Sequence, residues 1–231
     1  MTIDSLPDRP YRPPGRDALV IIHCDPSIIV AEKPHGLLSV PGRGEDRQVS
    51  ALSYLEERFG QVRVVHRLDM DTSGLIVFAR TGEAQAHLSR QFEERTAAKT
   101  YEALVAGRMA EASGVVDRPI GRLWEERPRR RIDDTGGKPA LTRWERVGTV
   151  PSGSHLVLRP QTGRTHQLRV HLASIGHPIL GDRLYGSSVD ADRLCLHATE
   201  LELRHPEHGR TVRFSSAAPF IERPVHGNRL L

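Results

Sequence analysis

The chain is short of lysine, cysteine and long apolar runs, and each shortage narrows what it can be. Only three lysines (Lys33, Lys99, Lys138) stand among 33 basic residues in 231, so arginine carries nearly all the positive charge. A planar guanidinium pairs with phosphate through a fork and stacks on bases, which an ammonium does not do. A chain-wide preference for arginine codons accounts for the same count. Two cysteines, Cys24 and Cys195, have no paired spacing, so they make neither a disulfide framework nor a zinc knuckle and read as free thiols. No apolar run approaches the roughly 18 residues a membrane helix needs, and residues 1–16 lack the apolar stretch of a secretion signal. We therefore expect a soluble, cytoplasmic protein without a membrane partner, acting as a monomer. The net charge of +4 fits a basic face for an acidic partner such as nucleic acid.

Local signals divide the rest. Pro7, Pro10, Pro13 and Pro14 deny regular structure to residues 1–17, which read as a mobile arm. One folded domain is expected over 18–222, followed by a short tail over 223–231. Within it, 18–23 and 28–32 read as a hairpin around Asp25-Pro26-Ser27, and 50–59 as a helix closed by Gly60. A strand over 74–80 leads to Thr81, which can cap a helix over 82–95. Further strands are expected at 100–106, 141–147, 156–160 and 194–198. Strands and helices in this irregular order predict an α+β fold.

Two blocks carry chemistry. In the first, His66-Arg67-Leu68-Asp69 sits in a turn ahead of an apolar strand, with Thr72-Ser73-Gly74 between. A loop mounted on a strand is where a rigid scaffold presents reactive groups. Asp69 could simply cap the turn. A glycosidase pair with Asp71 fails on reach, because two carboxylates two residues apart cannot face each other across a sugar ring. In the second block, Gln161 to Ile175, helical spacing puts Arg164, Leu168, His171 and Ile175 on one face. A cation at a helix N-terminus opposes the macrodipole unless a carboxylate is near, and Asp69 is the expected partner of Arg164. His166 and His171 lie five residues apart on that helix and point apart, which argues against a metal site. Between the blocks, Arg118, Arg122, Arg127, Arg129, Arg130 and Arg131 crowd a loop with Trp124: either a solvated surface or an RNA clamp.

The run from His66 to Gly74 matches every fixed position of an HRLDxxTSG motif, and on it the chain resembles the pseudouridine synthases of the RluA type. Lys33-Pro34-x-Gly36, Lys99-Thr100-Tyr101, the block Gly163 to Gly186 and Leu194 to Ala198 resemble that family's other motifs, so the likeness spans about residues 28 to 198. Within the family, Leu37 to Arg43 looks most like the short RluA branch. The resemblance implies a central mixed, largely antiparallel sheet with an RNA cleft across it. It also implies the conversion of uridine to pseudouridine on a flipped-out base, without metal or cofactor. Asp69 would be the catalytic aspartate, Arg164 the arginine paired with it, and Tyr101 the platform that stacks on the base, its hydroxyl available to the C5 proton. Arg67 would fill the vacated space and bind phosphate, with His66, Lys99, Lys33, Arg129, Arg130 and Arg131 as further RNA contacts. Leu168 and Leu196 would line the pocket. The implied partners are a 23S rRNA hairpin and the tRNA anticodon stem-loop. A tRNA-only synthase and a non-catalytic RNA-binding module are the alternatives, and the latter has no need of Asp69.

Overall fold

Two strands that are apolar on both faces organise the chain. In the computed structural model, which describes residues 10–126, 128–186 and 191–221, β2 (Ile28–Lys33) and β4 (Ser73–Ala79) pair antiparallel. All seven residues of β4 are buried. Successive side chains of a strand point to opposite faces. Here Ile29, Ala31, Ile76 and Phe78 pack under α1 (Ala51–Phe59), while Ile28, Val30, Leu75 and Val77 pack under α2 (Gly82–Glu93). Both helices are capped by side chains, that of α2 by Thr81 as expected. Ser50 accepts from Ser53 N, Thr81 accepts from Ala84 N, and Gly60 closes α1 at φ 73°.

The rest of the sheet extends from these strands: β1 (Val20–Cys24) on the β2 edge, then on the far side of β4 come β11 (Leu196–Arg204), β5 (Ala98–Ala106), β10 (Gly153–Pro160), β9 (Leu141–Val150) and β6 (Ser113–Asp117). β3 (Arg63–Val64) adds to β4, and β12 (Thr211–Ser215) to β11. Every pairing between these strands is antiparallel except β4 with β11, where Ser73 meets His197 and Gly74 meets Ala198 and the strands then part. Gly74 is required at this seam, since at φ 108° a Cβ would lie 2.4 Å from the Ala198 carbonyl oxygen. A separate ribbon of β7 (Ile120–Arg122) and β8 (Arg130–Ile132) carries the arginine-rich loop. α3 (Gln167–Ser174) sits on the second half of the sheet, which has its own core around Leu156, Leu158, Leu172 and Ile179. Tyr101 packs against the cores of both halves. Among the described residues no helix is long and apolar enough to cross a membrane.

The structure corrects two expectations here. Residues 10–17 are docked: Tyr11 Oη donates to Val49 O at 3.0 Å and accepts from Leu38 N, and Tyr54 Oη donates to Pro14 O. The helix expected to include Arg164 begins instead at Gln167, because His166 takes the left-handed conformation (φ 57°, ψ 19°) and breaks the helical run. The segments 1–9 and 223–231 lie outside the described residues.

Candidate active site

The seam between the sheet halves opens into a cleft lined by the 67–72 loop, Lys99 and Tyr101 of β5, residues 160–164, the start of α3, and Leu196. Its first wall is the loop carrying Asp69, held by the Lys33 motif. Lys33 Nζ donates to three backbone oxygens, those of Pro34, Leu37 and Met70, at 2.7–2.9 Å. Gly36 N also donates to Met70 O, and His35 Nδ1 donates to Asp71 O. Ser39 Oγ donates to Leu68 O and accepts from Leu68 N. The flanking residues 68, 70 and 71 are thus tied by their backbones, which fixes where the Asp69 side chain projects. Lys33 is fully buried with all three donors spent, so it is a clamp and not the RNA contact expected from the sequence. Burial pulls its pKa down to about 7 against the pull of Asp71 and Asp69.

The opposite wall carries the cation. Arg169 Nη1 lies 3.5 Å from Asp69 Oδ2, while its Nε and Nη2 grip Asp182 at 2.8 Å each. Asp182 also accepts from the backbone N–H of Leu184 and Tyr185, so the guanidinium is oriented by a carboxylate that is itself fixed. Burial opposes the charge on Arg169, but the hydrogen bonds and charge of Asp182, with Asp69, hold it protonated beyond its ordinary value. Arg164, the partner expected from the sequence, lines the cleft but donates through Nε to Pro139 O. The expectation failed because Arg164 precedes the helix. Its turn is set instead by Gln167, whose Oε1 accepts from Arg164 N and Thr162 Oγ1 while its amide donates to Leu141 O and Thr142.

Tyr101 lies between the walls with Leu168 and Leu196. Burial first, and then the Asp69 charge, raise the pKa of its hydroxyl, which stays a phenol. Arg67 is exposed at the mouth, and Lys99 Nζ lies 5.6 Å from the Phe92 ring. His66 is turned inward: Nε2 accepts from Val77 N of β4 and the ring stacks on Phe92 at 4.5 Å, so the expected RNA contact is a brace for the strand. Burial, then Lys99, pull its pKa down to about 3. On the ribbon, Arg129 is likewise committed, to Glu126 and to the Leu184 carbonyl, whereas Arg131 and Arg122 are exposed and Arg122 lies over Trp124 at 4.9 Å. Arg130 lends its backbone N–H to Tyr185 Oη.

The sequence reading missed Arg169, Asp182, His166 and Tyr185. All four stand in the block that carried the resemblance. A buried cation needs a buried anion, and the Gly181-Asp182 turn shortly after the helix was the available signal. One group of metal-capable side chains occurs among the described residues, His23, Asp25 and His205, and none of the three lines the cleft. There both Nε2 atoms reach the same Asp25 oxygen, at 2.6 and 2.9 Å, which satisfies them as hydrogen-bond donors.

A cleft with a clamped carboxylate, a fixed guanidinium and a phenol can hold a flat base and work at the carbon beside it. The profile of the RNA pseudouridylate synthase family matches residues 27–174. A protein of Haemophilus influenzae named dual-specificity RNA pseudouridine synthase RluA is 46% identical over 91% of this chain and 98% of its own length. Its namesake from Escherichia coli K12 is 45% identical over the same shares. Among solved structures, human RNA pseudouridylate synthase domain containing 1 superposes with a TM-score of 0.75 at 31% identity, covering 91% of this chain and 87% of that one.

Proposed function

The chain belongs to the RNA pseudouridylate synthase family and isomerises uridine in RNA to pseudouridine, and from that we propose that Asp69 is its catalytic carboxylate, acting at ribose C1′ of a flipped-out base. The observation that carries this reading is the Asp69–Arg169 pair in the cleft beside Tyr101. The reaction breaks the C1′–N1 bond, turns the uracil and joins C5 to C1′; C5 loses its proton and the freed N1 takes one up. Addition to C1′ and removal of the 2′ hydrogen both need a bare carboxylate oxygen aimed into the cleft. The clamp of the 67–72 loop and the fixed guanidinium of Arg169 support that aim.

Tyr101 acts as the stacking platform, worth about 1–3 kcal/mol per base. As a phenol it donates a hydrogen bond better than it takes the C5 proton. Arg67 fills the space the base leaves, which lowers the few kcal/mol of flipping. Arg164 and Lys99 at the cleft, with Arg122 and Arg131 of the ribbon, contact the phosphates. One catalytic domain carries the activity, in the cytoplasm and as a single chain, and the bonds of Tyr11 and Pro14 extend it toward the N-terminus to residue 10. The substrates are a 23S rRNA hairpin and the tRNA anticodon stem-loop, on the strength of the dual-specificity relatives.

Mapping pseudouridine across total RNA from cells with and without the chain tests this. Loss at one large-subunit hairpin and in anticodon stem-loops is expected. Loss in tRNA alone would cut the substrate range to tRNA, and an unchanged map would contradict the proposal.

A further inference from the structure

His166 is one of two non-glycine residues at positive φ among the described residues, the other being Arg95. A side chain in that conformation costs about 1 kcal/mol, and it persists where the surroundings over-determine it. Here the turn lets α3 start at Gln167 while the imidazole, 9% exposed, swings back toward Asp69. Both ring nitrogens are addressed. The Arg130 N–H donates to Tyr185 Oη at 2.8 Å, which leaves the hydroxyl's own proton available to His166 Nδ1 at 2.7 Å. With Nδ1 accepting, a neutral ring carries its proton on Nε2. That atom faces Asp69 Oδ1 at 4.0 Å, while Arg169 attends Oδ2.

We propose that His166 is a positioning residue for the isomerisation: fixed by Tyr185 as the Nε2–H tautomer, it steadies the second oxygen of Asp69 opposite Arg169. It closes to hydrogen-bond distance when RNA fills the cleft, as catalytic contacts that are long in the free enzyme do. Burial favours this neutral form, while the strongest of the surrounding charges, Asp69, opposes it. Burial is the largest influence and lowers its pKa; Arg169 from α3 and Arg130 from β8 push the same way, and Asp69 and Asp182 push back. The chain of bonds runs from the ribbon to His166, whose Nε2 faces Asp69, so that closure ties β8 and the carboxylate into one register. The inference rests on the reading of Asp69 as the catalytic carboxylate.

The test uses the full chain in excess over tRNA and rRNA from cells that lack it, following pseudouridine formation in a single turnover alongside RNA affinity. His166→Phe keeps the ring volume and loses the donor; it should slow turnover by about tenfold or more, as loss of a preorganised donor does, with RNA Kd within about threefold. His166→Asn tolerates the left-handed turn and keeps an N–H, so it should recover part of that rate. Tyr185→Phe should slow turnover less, and adding it to His166→Phe should cost nothing further, because the hydroxyl acts through the ring. Imidazole ¹⁵N spectra should show Nε2–H at His166 in the wild type and a tautomer mixture in Tyr185→Phe. A His166→Phe rate within twofold of wild type, losses that multiply in the double variant, or an Nδ1–H wild-type ring would overturn the proposal. If His166→Phe does not fold, His166→Asn, Tyr185→Phe and the spectra decide. Asp69→Asn run in parallel separates the failures: turnover there sinks the reading of Asp69, whereas a dead Asp69→Asn beside an unaffected His166→Phe sinks this proposal alone.

Discussion

Arg169 serves two carboxylates with one guanidinium, and the division of its nitrogens decides what each substitution does. Two go to Asp182, whose side chain is fully buried, and one faces Asp69. Arg169→Ala therefore strands a buried anion, a loss of about 3–5 kcal/mol, and removes the cation beside Asp69, so stability and turnover should fall together. Arg169→Lys keeps the charge without the fork and should lose turnover with a smaller stability cost. Arg164→Ala breaks only a bond to the Pro139 carbonyl, so it should cost stability about 1 kcal/mol or less and weaken RNA binding more than chemistry. Denaturant titration with single-turnover rates checks the contrast. It fails if Arg164→Ala abolishes turnover while Arg169→Ala remains stable and active.

At the scale of elements, the seam between β4 and β11 carries a part-buried chain of hydrogen bonds centred on Ser73 and His197. Arg193 donates to Ser73 Oγ, Ser73 lies 2.8 Å from His197 Nδ1, His197 Nε2 lies 2.9 Å from Ser216 Oγ, and Ser216 donates to Glu32. Burial, then Arg193, pull the His197 pKa down to about 4; burial, then Lys99, pull that of His66 behind β4 to about 3. Unfolded, both titrate near ~6.5, so between that value and about 4 the unfolded chain binds more protons than the folded one. Stability should therefore be full above ~6.5 and fall as pH drops toward 4, by about 1.4 kcal/mol per pH unit for each proton taken up. His197→Gln should flatten that slope; an unchanged slope would show that His197 is not held neutral. α1, α2 and β4 were legible in sequence because their signals are local: Thr81, Gly60 and an unbroken apolar run. β6 and β12 were not, since their alternate residues face solvent and leave little apolar pattern. The pairing arginine was misassigned because helical spacing runs on through Arg164, and a histidine, though commoner than most residues in left-handed turns, is far from a glycine as a signal of one. The clamp role of Lys33 was hidden for a related reason: its partners are backbone carbonyls, which no side-chain motif encodes.

For the whole molecule, the basic excess should act as an RNA surface with a salt signature. Binding should weaken linearly on a log–log salt plot, with a slope of about 0.7 per phosphate neutralised on single-stranded segments. Replacing Arg122 and Arg131, both exposed on the ribbon, should flatten the slope, whereas Arg129→Gln should cost stability more than slope because that side chain is spent on Glu126 and Leu184. Equal slopes for all three would return the ribbon to plain surface. The motifs located the cleft across a sheet whose two walls are 100 residues apart, since Asp69 and Arg169 meet only through the fold. The most direct measurement is pseudouridine formation by Asp69→Asn at saturating RNA, with binding measured on the same sample. RNA affinity within a few fold of wild type and a fall in kcat on the order of 10⁴ or more are predicted, the scale of losing an essential reactive group. Turnover within tenfold of wild type would contradict Asp69 as the carboxylate that does the chemistry.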